Sequence, residues 1–308
     1  MTSPTPPVAY TLAICTHNHA DRLRKTLDGL QNLNHPQQAW EVLIVDNNSS
    51  DGTSELLAKD EWHPVNVPTR VVFEGRLGIS HARNRAVAEA SGDYLFFMDD
   101  DETPDANWLI AFEKAIEQWR PDALGGRIEV MFEDASRPSW LQDELLGFLG
   151  RLDHGPEPAP LTTPETPTYT GNSGFHRAIF DHIGLFDASL GRKGNANSGG
   201  EDVDIYRRLV AAGHSVQWVP NAIIYHRIQA SKLRRSYFYD LHYRQGRMEG
   251  RINRGDGPRL PRPYLIVQLG RAIKGAFEVR MRQGKSHSVR KEMNVAYFIG
   301  YILGWMFD

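Results

Sequence analysis

The sequence predicts an α/β fold with a Rossmann-like, mostly parallel sheet flanked by helices, followed by a helical basic C-terminal region. Apolar strand patterns alternate with helical patterns, at 10–15 (strand), 19–33 (helix), 41–45 (strand), 70–73 (strand), 79–90 (helix) and 94–98 (strand). Such alternation is typical of a parallel sheet with right-handed crossovers. The loops after Cys15, Val45 and Met98 should therefore open on one edge, where α/β sheets bind ligands.

The α/β pattern continues beyond this first half. A helix at 106–118 and a strand at 124–132 follow, and a later helix at 201–212 precedes short strands at 215–219 and 222–225. Five prolines lie between residues 151 and 168, which predicts an irregular, mobile loop or lid.

Composition indicates an ordinary globular protein of 308 residues, with 41% hydrophobic and 24% charged residues. The lone Cys15 excludes an internal disulfide and suits a reducing compartment. Residues 1–7 lack a secretory signal pattern, so we expect a cytoplasmic protein. The longest apolar run, at 295–307, is too short to span a bilayer.

Charge is distributed unevenly along the chain. Residues 227–292 carry 17 Lys and Arg against 5 Asp and Glu, although the whole chain has a net charge of −3. Nucleic acid is disfavoured as a partner, because no recognition motif accompanies this charge. Basic charge followed by the aromatic run 295–307 suits peripheral attachment to the cytoplasmic face of a membrane. The alternatives are that this tail packs as a core helix or forms a homodimer contact.

Three consecutive carboxylates, Asp99, Asp100 and Asp101, directly follow the buried strand 94–98. In an extended chain Asp99 and Asp101 point one way and Asp100 points the other. Adjacent negative charges repel, and a divalent cation with oxygen ligands would remove that repulsion. A solvated acidic loop before a helix near Asp105 explains the triplet equally well, so these residues alone leave both interpretations open.

Four motifs in their order and spacing resemble the glycosyltransferase family 2 enzymes, which have the GT-A fold and move a sugar from a nucleotide donor. They are Ile14-Cys15-Thr16-His17-Asn18, Val45-Asp46-Asn47-Asn48-Ser49-Ser50-Asp51-Gly52-Thr53, Ala82-Arg83-Asn84 with Met98-Asp99-Asp100-Asp101-Glu102, and Gly200-Glu201-Asp202. The resemblance implies a catalytic domain at 9–226, with a nucleotide-binding half at 9–104 and an acceptor-binding half at 105–226. Residues 227–308 would form the helical basic region.

The resemblance implies donor-binding residues at the ends of the first strands, namely Thr16, Asn18, Asp46, Asn47, Arg83, Asp99 and Asp100. Many members carry a second acid where this chain has Asn47, whose amide can still bond to a uracil edge. A UDP-sugar is the favoured donor, with GDP- and dTDP-sugars as alternatives. Arg83 is expected near the diphosphate, or else on a helix surface beside an acid.

The reacting groups also follow from the resemblance. Asp99 and Asp101, together with His226, would hold Mg²⁺ or Mn²⁺, which neutralises the departing diphosphate. Asp202 is expected to act as the general base on the acceptor hydroxyl, and Glu201 to hold that acceptor. Acids in the first turn of a helix are favoured by its dipole whatever their function, so this pair would carry little weight alone.

The acceptor side is expected to involve the segment 169–175, with Asn172, and the Phe186-Asp187 pair, with the proline-rich 151–168 as its cover. Phe186 is as well suited to the core as to a sugar platform. Gly171-Asn172-Ser173-Gly174 lacks the spacing of a hydrolase nucleophile elbow.

These observations predict a metal-dependent, inverting glycosyltransferase of polysaccharide biosynthesis, acting on a hydroxyl of a saccharide or lipid-linked acceptor. Inversion is expected because the implied residues permit one displacement with one base. A nucleotidyltransferase is the nearest enzymatic alternative, but it would leave Glu201-Asp202 without a function. A catalytically inactive sugar-nucleotide-binding protein is the alternative from another class, which the intact Asp99, Asp101, Asp202 and His226 argue against.

Overall fold

The computed structural model describes residues 8–59, 62–64, 66–133, 135–191, 200–255 and 258–307. The chain divides into two compact units. Unit 1 comprises Met1–Glu129 and Leu152–His226, and unit 2 comprises Val130–Arg151 and Arg227–Asp308. Residues 130–151, which we expected in the catalytic domain, therefore belong with the C-terminal helices.

Unit 1 contains the α/β elements. In chain order they are β1 (Tyr10–Thr16), α1 (Ala20–Leu30), β2 (Trp40–Asp46), α2 (Thr53–Leu57), β3 (Thr69–Phe73), α3 (Ile79–Glu89), β4 (Tyr94–Asp99), β5 (Glu102–Pro104), α4 (Trp108–Trp119), β6 (Ala123–Met131), β7 (Ala159–Pro160), β8 (Ser173–His176), α5 (Ile179–Ile183), α6 (Glu201–Ala211) and β9 (Val216–Arg227). The strand order is β3-β2-β1-β4-β8-β6-β9-β5, and β7 pairs with β9.

The first half of the sheet is parallel. β1 runs parallel to β2 and β4, and β3 runs parallel to β2. Every residue of β1 and β2 is buried, as expected for strands covered by helices on both faces. The helical face predicted from Leu23, Leu27 and Leu30 is buried in α1. The predicted α/β fold class is therefore confirmed. The sheet is mixed and not mostly parallel, because β8 pairs antiparallel with β4 and β6, and β9 pairs antiparallel with β5 and β7.

Two predictions about the second half need correction. The two short strands predicted at 215–219 and 222–225 are one continuous strand, β9. Proline lacks the N–H that a ladder needs, but β9 pairs with β7 before Pro220 and with β5 after it, and these pairings keep the strand continuous. The segment 151–168 is not a free lid. Gly155 accepts a hydrogen bond from Trp218 Nε1 at 2.9 Å, and Thr163 accepts one from the Tyr206 hydroxyl at 2.8 Å.

Unit 2 contains three long helices, α7 (Arg235–Arg254), α8 (Pro263–Gln283) and α9 (Val289–Phe307). Its own core explains why residues 130–151 belong to it. Leu141, Leu145 and Leu149 pack in one cluster with Phe238 of α7 and Met293 of α9.

Helices α7 and α9 run parallel and approach closely at glycines. A Cβ on Gly246 or Gly250 would overlap the carbonyl oxygen of Tyr297 or Tyr301, respectively. Gly300 and Gly304 meet the α7 backbone in the same way. Small residues four apart permit such close helix approach.

The aromatic tail therefore has a packing role in unit 2. Tyr301 and Trp305 of α9 are buried in a cluster with Leu265 of α8. The expectation that the run 295–307 itself offers aromatic anchors to a membrane is wrong for these two side chains, because neighbouring helices cover them. Among the described helices, none is long and apolar enough to cross a bilayer.

Candidate active site

The carboxyl ends of β1, β2 and β4 form one edge of the sheet, which we call the donor edge. The parallel register sets Thr16 beside Asp46 and Cys15 beside Asp99. The predicted convergence of three loops is therefore confirmed. Asp46 is buried, whereas the Asp99 side chain is 46% exposed, so the edge presents an open carboxylate.

Asn18 joins two loops of the donor edge. Its backbone lies in the left-handed region at φ 54°, and its Oδ1 accepts hydrogen bonds from the N–H groups of Ser50 (2.7 Å) and Asp51 (3.2 Å). Asp46 Oδ1 accepts from the Ser49 N–H at 3.0 Å. Asn18 and Asp46 thus shape this edge, and their contact with a nucleoside stays a prediction.

Asn47 is committed within the protein, which corrects the expectation that its amide binds the base. Its Nδ2 donates to the carbonyl oxygens of Glu74 (3.1 Å) and Arg76 (2.7 Å), and its Oδ1 accepts from the Gly78 N–H at 2.8 Å. An aspartate could not donate to two carbonyl groups. The departure from an acid at this position is therefore explained by the loop that precedes α3.

Thr16 and Asp100 bond to each other at the donor edge. Thr16 Oγ1 donates to Asp100 Oδ2 at 2.6 Å, and Asp100 lies 3.0 Å from His19 Nδ1. Both residues are buried. Their bond holds the β1–α1 loop against the end of β4, and the expected contact of Thr16 and Asp100 with the donor stays a prediction.

Each carboxylate of the acidic triplet has a basic neighbour. The pairs are Asp99 with Arg83 (3.4 Å), Asp100 with His19 (3.0 Å), and Asp101 with Arg22 (3.7 Å) and His226 (3.4 Å). The guanidinium groups of Arg83 and Arg22 thus relieve part of the repulsion that suggested a metal ion.

The residues predicted to hold a metal come together only in part. Asp101 Oδ2 lies 3.4 Å from His226 Nε2, and both side chains are partly open to solvent. Among the described residues, no group of three or more His, Cys, Asp or Glu side chains is placed to hold a metal ion. Metals that bind nucleotides commonly use one or two carboxylates together with substrate phosphates. The donor set of Asp101 and His226 fits that pattern.

Arg83 is a buried bridge between two acids. Its Nη1 donates to Glu201 Oε1 at 2.7 Å, its Nη2 lies 3.4 Å from Asp99 Oδ1, and its guanidinium lies over the Phe186 ring at 5.7 Å. Neither sequence expectation describes this arrangement fully. Arg83 pairs with acids, as the alternative expected, but it lies inside unit 1 and links the donor edge to the start of α6.

Asp202 lies beside this bridge in the first turn of α6. Burial, and next the charge of Glu201, raise the pKa of the Asp202 carboxyl above its usual range. The charge of Asp202 in turn contributes, after burial, to the raised pKa of Tyr169. Glu201 Oε2 is buried and lacks a hydrogen-bond partner among the described residues. An additional donor, such as a substrate hydroxyl, would satisfy that oxygen.

The two other predicted acceptor residues are core residues, and both expectations are corrected. Asn172 is fully buried, accepts from Trp108 Nε1 at 2.8 Å and donates to the Ala222 carbonyl at 2.9 Å. Phe186 is buried and stacks edge-on against Phe97 at a centroid distance of 5.7 Å. The sequence had left the core open as an alternative for Phe186.

Several residues of the site carried no recognisable signal. Arg22 and His19 reach the triplet only because β1 and β4 are neighbours in the sheet. Glu102 is buried and accepts from the Asp99 N–H at 2.8 Å. A Cβ on Gly171 would lie 2.9 Å from Asp99 Oδ2, so this glycine lets the backbone approach the carboxylate. In the sequence, only the position of Gly171 in the segment Gly171-Asn172-Ser173-Gly174 indicated such a close approach.

This edge, with its carboxylates and the adjoining acids of α6, lies where the ligand sites of α/β enzymes are found. The model of the family "Glycosyl transferase family 2" matches residues 11–184, and the chain belongs to this family. The protein is accordingly a glycosyltransferase.

Relatives and solved structures agree with this assignment. The succinoglycan biosynthesis protein ExoM of Rhizobium meliloti (strain 1021) is 24% identical over 250 residues, which cover 81% of this chain and 76% of ExoM. The mannosyltransferase PcManGT from Pyrobaculum calidifontis, solved with GDP-Man and Mn²⁺, superimposes with a TM-score of 0.61 at 16% identity, covering 97% of this chain and 88% of that one. S. aureus TarS 1–349 in complex with UDP gives a TM-score of 0.54 at 15% identity, with coverages of 96% and 91%. At these identities the two structures establish the fold.

Proposed function

We propose that this glycosyltransferase moves a sugar from a nucleoside-diphosphate sugar to a hydroxyl of a saccharide or lipid-linked acceptor, with inversion and with a divalent metal ion. The observation that carries the proposal is the buried Arg83 bridge, which ties Asp99 at the donor edge to Glu201 beside Asp202. Arg83 thereby fixes the position of Asp99, on the donor side, relative to the first turn of α6, which carries the proposed base Asp202.

Asp202 is proposed as the general base. A carboxylate with a raised pKa is a stronger proton acceptor, and Asp202 retains partial access to solvent. It would take the proton of the acceptor hydroxyl as that oxygen attacks the anomeric carbon. One base acting in a single displacement gives inversion at that carbon.

Glu201 is proposed to orient the acceptor. Its Oε1 is held by Arg83 at 2.7 Å, which leaves the buried Oε2 to accept a hydrogen bond from an acceptor hydroxyl. Because Arg83 already donates to Glu201, Asp202 is the carboxylate of this pair that we assign to receive the proton of the acceptor.

Asp101 and His226 would hold the metal, with Asp99 completing the set or contacting the ribose. When bound, Mg²⁺ or Mn²⁺ neutralises charge on the departing diphosphate. In the structure, Asp101 Oδ2 lies 3.7 Å from Arg22 Nη1, whose permanent charge opposes that of the carboxylate.

A UDP-sugar is the proposed donor, with GDP- and dTDP-sugars as the alternatives. The two solved neighbours were obtained with UDP and with GDP-Man, so fold likeness does not decide between these bases. The name of the relative ExoM supports a place in polysaccharide biosynthesis.

The test is donor turnover by the purified protein. UDP-, GDP- and dTDP-sugars are each incubated with Mn²⁺, and release of the nucleoside diphosphate is measured, including slow hydrolysis without an acceptor. The anomeric configuration of the product is read by proton NMR. Turnover of one donor by the native protein, with loss in Asp202→Asn, is expected. Binding without turnover of any donor would favour the inactive sugar-nucleotide-binding protein.

A further inference from the structure

Helix α8 carries large apolar side chains on its solvent side. Ile266, Ile273, Phe277 and Met281 are 63%, 52%, 62% and 69% exposed, and we call them the α8 outer face. Their spacings of seven, four and four residues place them in one stripe along the helix. A surface helix ordinarily has polar residues at such positions.

The stripe is distinct from the side of α8 that packs in unit 2. Leu265 and Ala276 are the buried residues of the helix, and Leu265 contacts the Tyr301 and Trp305 cluster of α9. At 100° per residue, Ile273 and Phe277 lie roughly 60–120° around the helix from these two positions, on the neighbouring side. Helix α8 is therefore apolar on two sides, and only one of them is covered by other helices of unit 2.

Basic residues border the α8 outer face. Residues 258–288 contain seven Lys and Arg, and Glu278 is their only acid. Arg271 and Lys274 lie on one flank of the stripe and Arg280 on the other, and all three are exposed. The surface thus combines apolar area with positive charge, which is the pattern of helices that lie in the headgroup layer of anionic bilayers.

We propose that the α8 outer face binds an anionic lipid bilayer, with α8 lying in the plane of the membrane surface. The apolar stripe enters the boundary between headgroups and acyl chains, while the flanking arginines and lysine contact lipid phosphates. A spanning orientation is excluded for α8, because no described helix is long and apolar enough to cross a bilayer.

Charge complementarity selects this occupant over a second copy of the chain. Two α8 outer faces brought together would oppose their basic borders and repel each other. A bilayer that contains acidic lipid satisfies both features of the face, since it accepts apolar side chains and carries negative charge.

The experiment is flotation of the full chain with vesicles of phosphatidylcholine alone and of phosphatidylcholine mixed with phosphatidylglycerol, at low and high salt. The native protein is expected to bind the mixed vesicles, with weaker binding at high salt and on neutral vesicles. Ile273→Gln with Phe277→Gln should reduce the partition coefficient between water and vesicles by about tenfold or more. The reason is that two large apolar side chains would no longer enter the bilayer. The matched control is Trp119→Gln, an exposed apolar residue of α4 in unit 1, which should bind as the native protein does.

A second variant tests the charge independently of the apolar stripe. Arg271→Gln with Lys274→Gln should bind several-fold more weakly at low salt and show a smaller dependence on salt. Both double variants replace exposed residues, and circular dichroism melts verify that they fold.

Absence of binding to the mixed vesicles, or unchanged binding by Ile273→Gln with Phe277→Gln, would overturn the proposal. A dimer in light scattering that this variant abolishes, without lipid binding, would assign the face to a second copy. Vesicle binding needs no turnover, so the outcome is independent of the proposed function.

Discussion

Arg83 and Glu201 lie 118 positions apart in the sequence, yet the guanidinium Nη1 and the carboxylate Oε1 are 2.7 Å apart in the interior of unit 1. Both side chains are less than 10% exposed. A buried ion pair contributes little net stability, but removing one partner leaves an uncompensated charge. The pair therefore makes the geometry of the site depend on both residues together.

The first prediction concerns this pair. Arg83→Met should destabilise the fold by about 3–5 kcal/mol, since Glu201 would stay buried without its partner. Arg83→Met combined with Glu201→Gln should recover much of that loss, measured by urea unfolding of the four proteins in a double-mutant cycle. Purely additive effects would show that the two side chains do not act as a pair.

Asp202→Asn should lower kcat by roughly 10²–10⁴, because the amide cannot accept the proton, with donor affinity nearly unchanged. The same variant should be more stable than the native protein at neutral pH. The pKa of Asp202 is raised on folding, so the folded state disfavours the ionised form, and this penalty grows as pH rises from the unfolded pKa through the folded one.

The measurements for Asp202 are steady-state kinetics and thermal melts against pH. Glu201→Gln is the control for the assignment of the base. If Glu201→Gln lost kcat while Asp202→Asn kept it, Glu201 would be the base instead.

Metal removal is the third test. EDTA should inhibit transfer, and added Mn²⁺ should restore it. Asp101→Asn should lose the increase in melting temperature that a nucleoside diphosphate gives in the presence of Mn²⁺. The control is Arg22→Gln, which removes the other charged neighbour of Asp101 and should keep the Mn²⁺ effect. Full activity in EDTA would refute metal dependence.

The α7–α9 contact predicts opposite effects of one substitution type. Gly250→Ala should destabilise the protein by about 1–3 kcal/mol, because the new methyl group overlaps the Tyr301 carbonyl. Gly275→Ala in α8 is the matched control, since a Cβ there meets nothing within 4 Å. It should stabilise the helix by about 0.5–1 kcal/mol through its higher helix propensity. Chemical denaturation of both variants measures the difference.

His242 predicts a loss of stability in acid. It is buried near Arg290 and Phe148, and burial lowers the pKa of its imidazole from 6.5 to about 4. The unfolded state therefore binds a proton first, and stability should fall as pH decreases from about 6.5 to about 4. The melting temperature of His242→Gln should decline less over this range. Parallel decline in both proteins would assign the effect to other groups.

The sequence predicted what depends on local pattern and chain order. Strand and helix periodicity predicted the α/β class, and the order of strands and helices predicted that the ends of β1, β2 and β4 meet at one edge. The face of α1 formed by Leu23, Leu27 and Leu30 followed in the same way, because helical spacing fixes which side chains meet a sheet.

Side-chain partners remote in sequence were beyond that argument. The three hydrogen bonds of Asn47 go to backbone groups of the loop before α3, and the burial of Asn172 depends on Trp108 and Ala222. No motif states whether a polar residue faces a ligand or a buried carbonyl. Residues 130–151 belong to unit 2 for a similar reason, since their leucines find their partners about a hundred residues later.

The single thiol of the chain has a practical consequence. Cys15 pairs with Asp99 in the sheet, and burial raises the pKa of its thiol to about 12, so the folded protein holds it protonated and unreactive. An alkylating reagent should react only during local or global opening. Because the chain has no other cysteine, the rate of thiol labelling measures how often β1 separates from the strands and helices that cover it. A sugar nucleotide bound at this edge would slow the labelling of Cys15, so the labelling rate would report binding without an engineered probe.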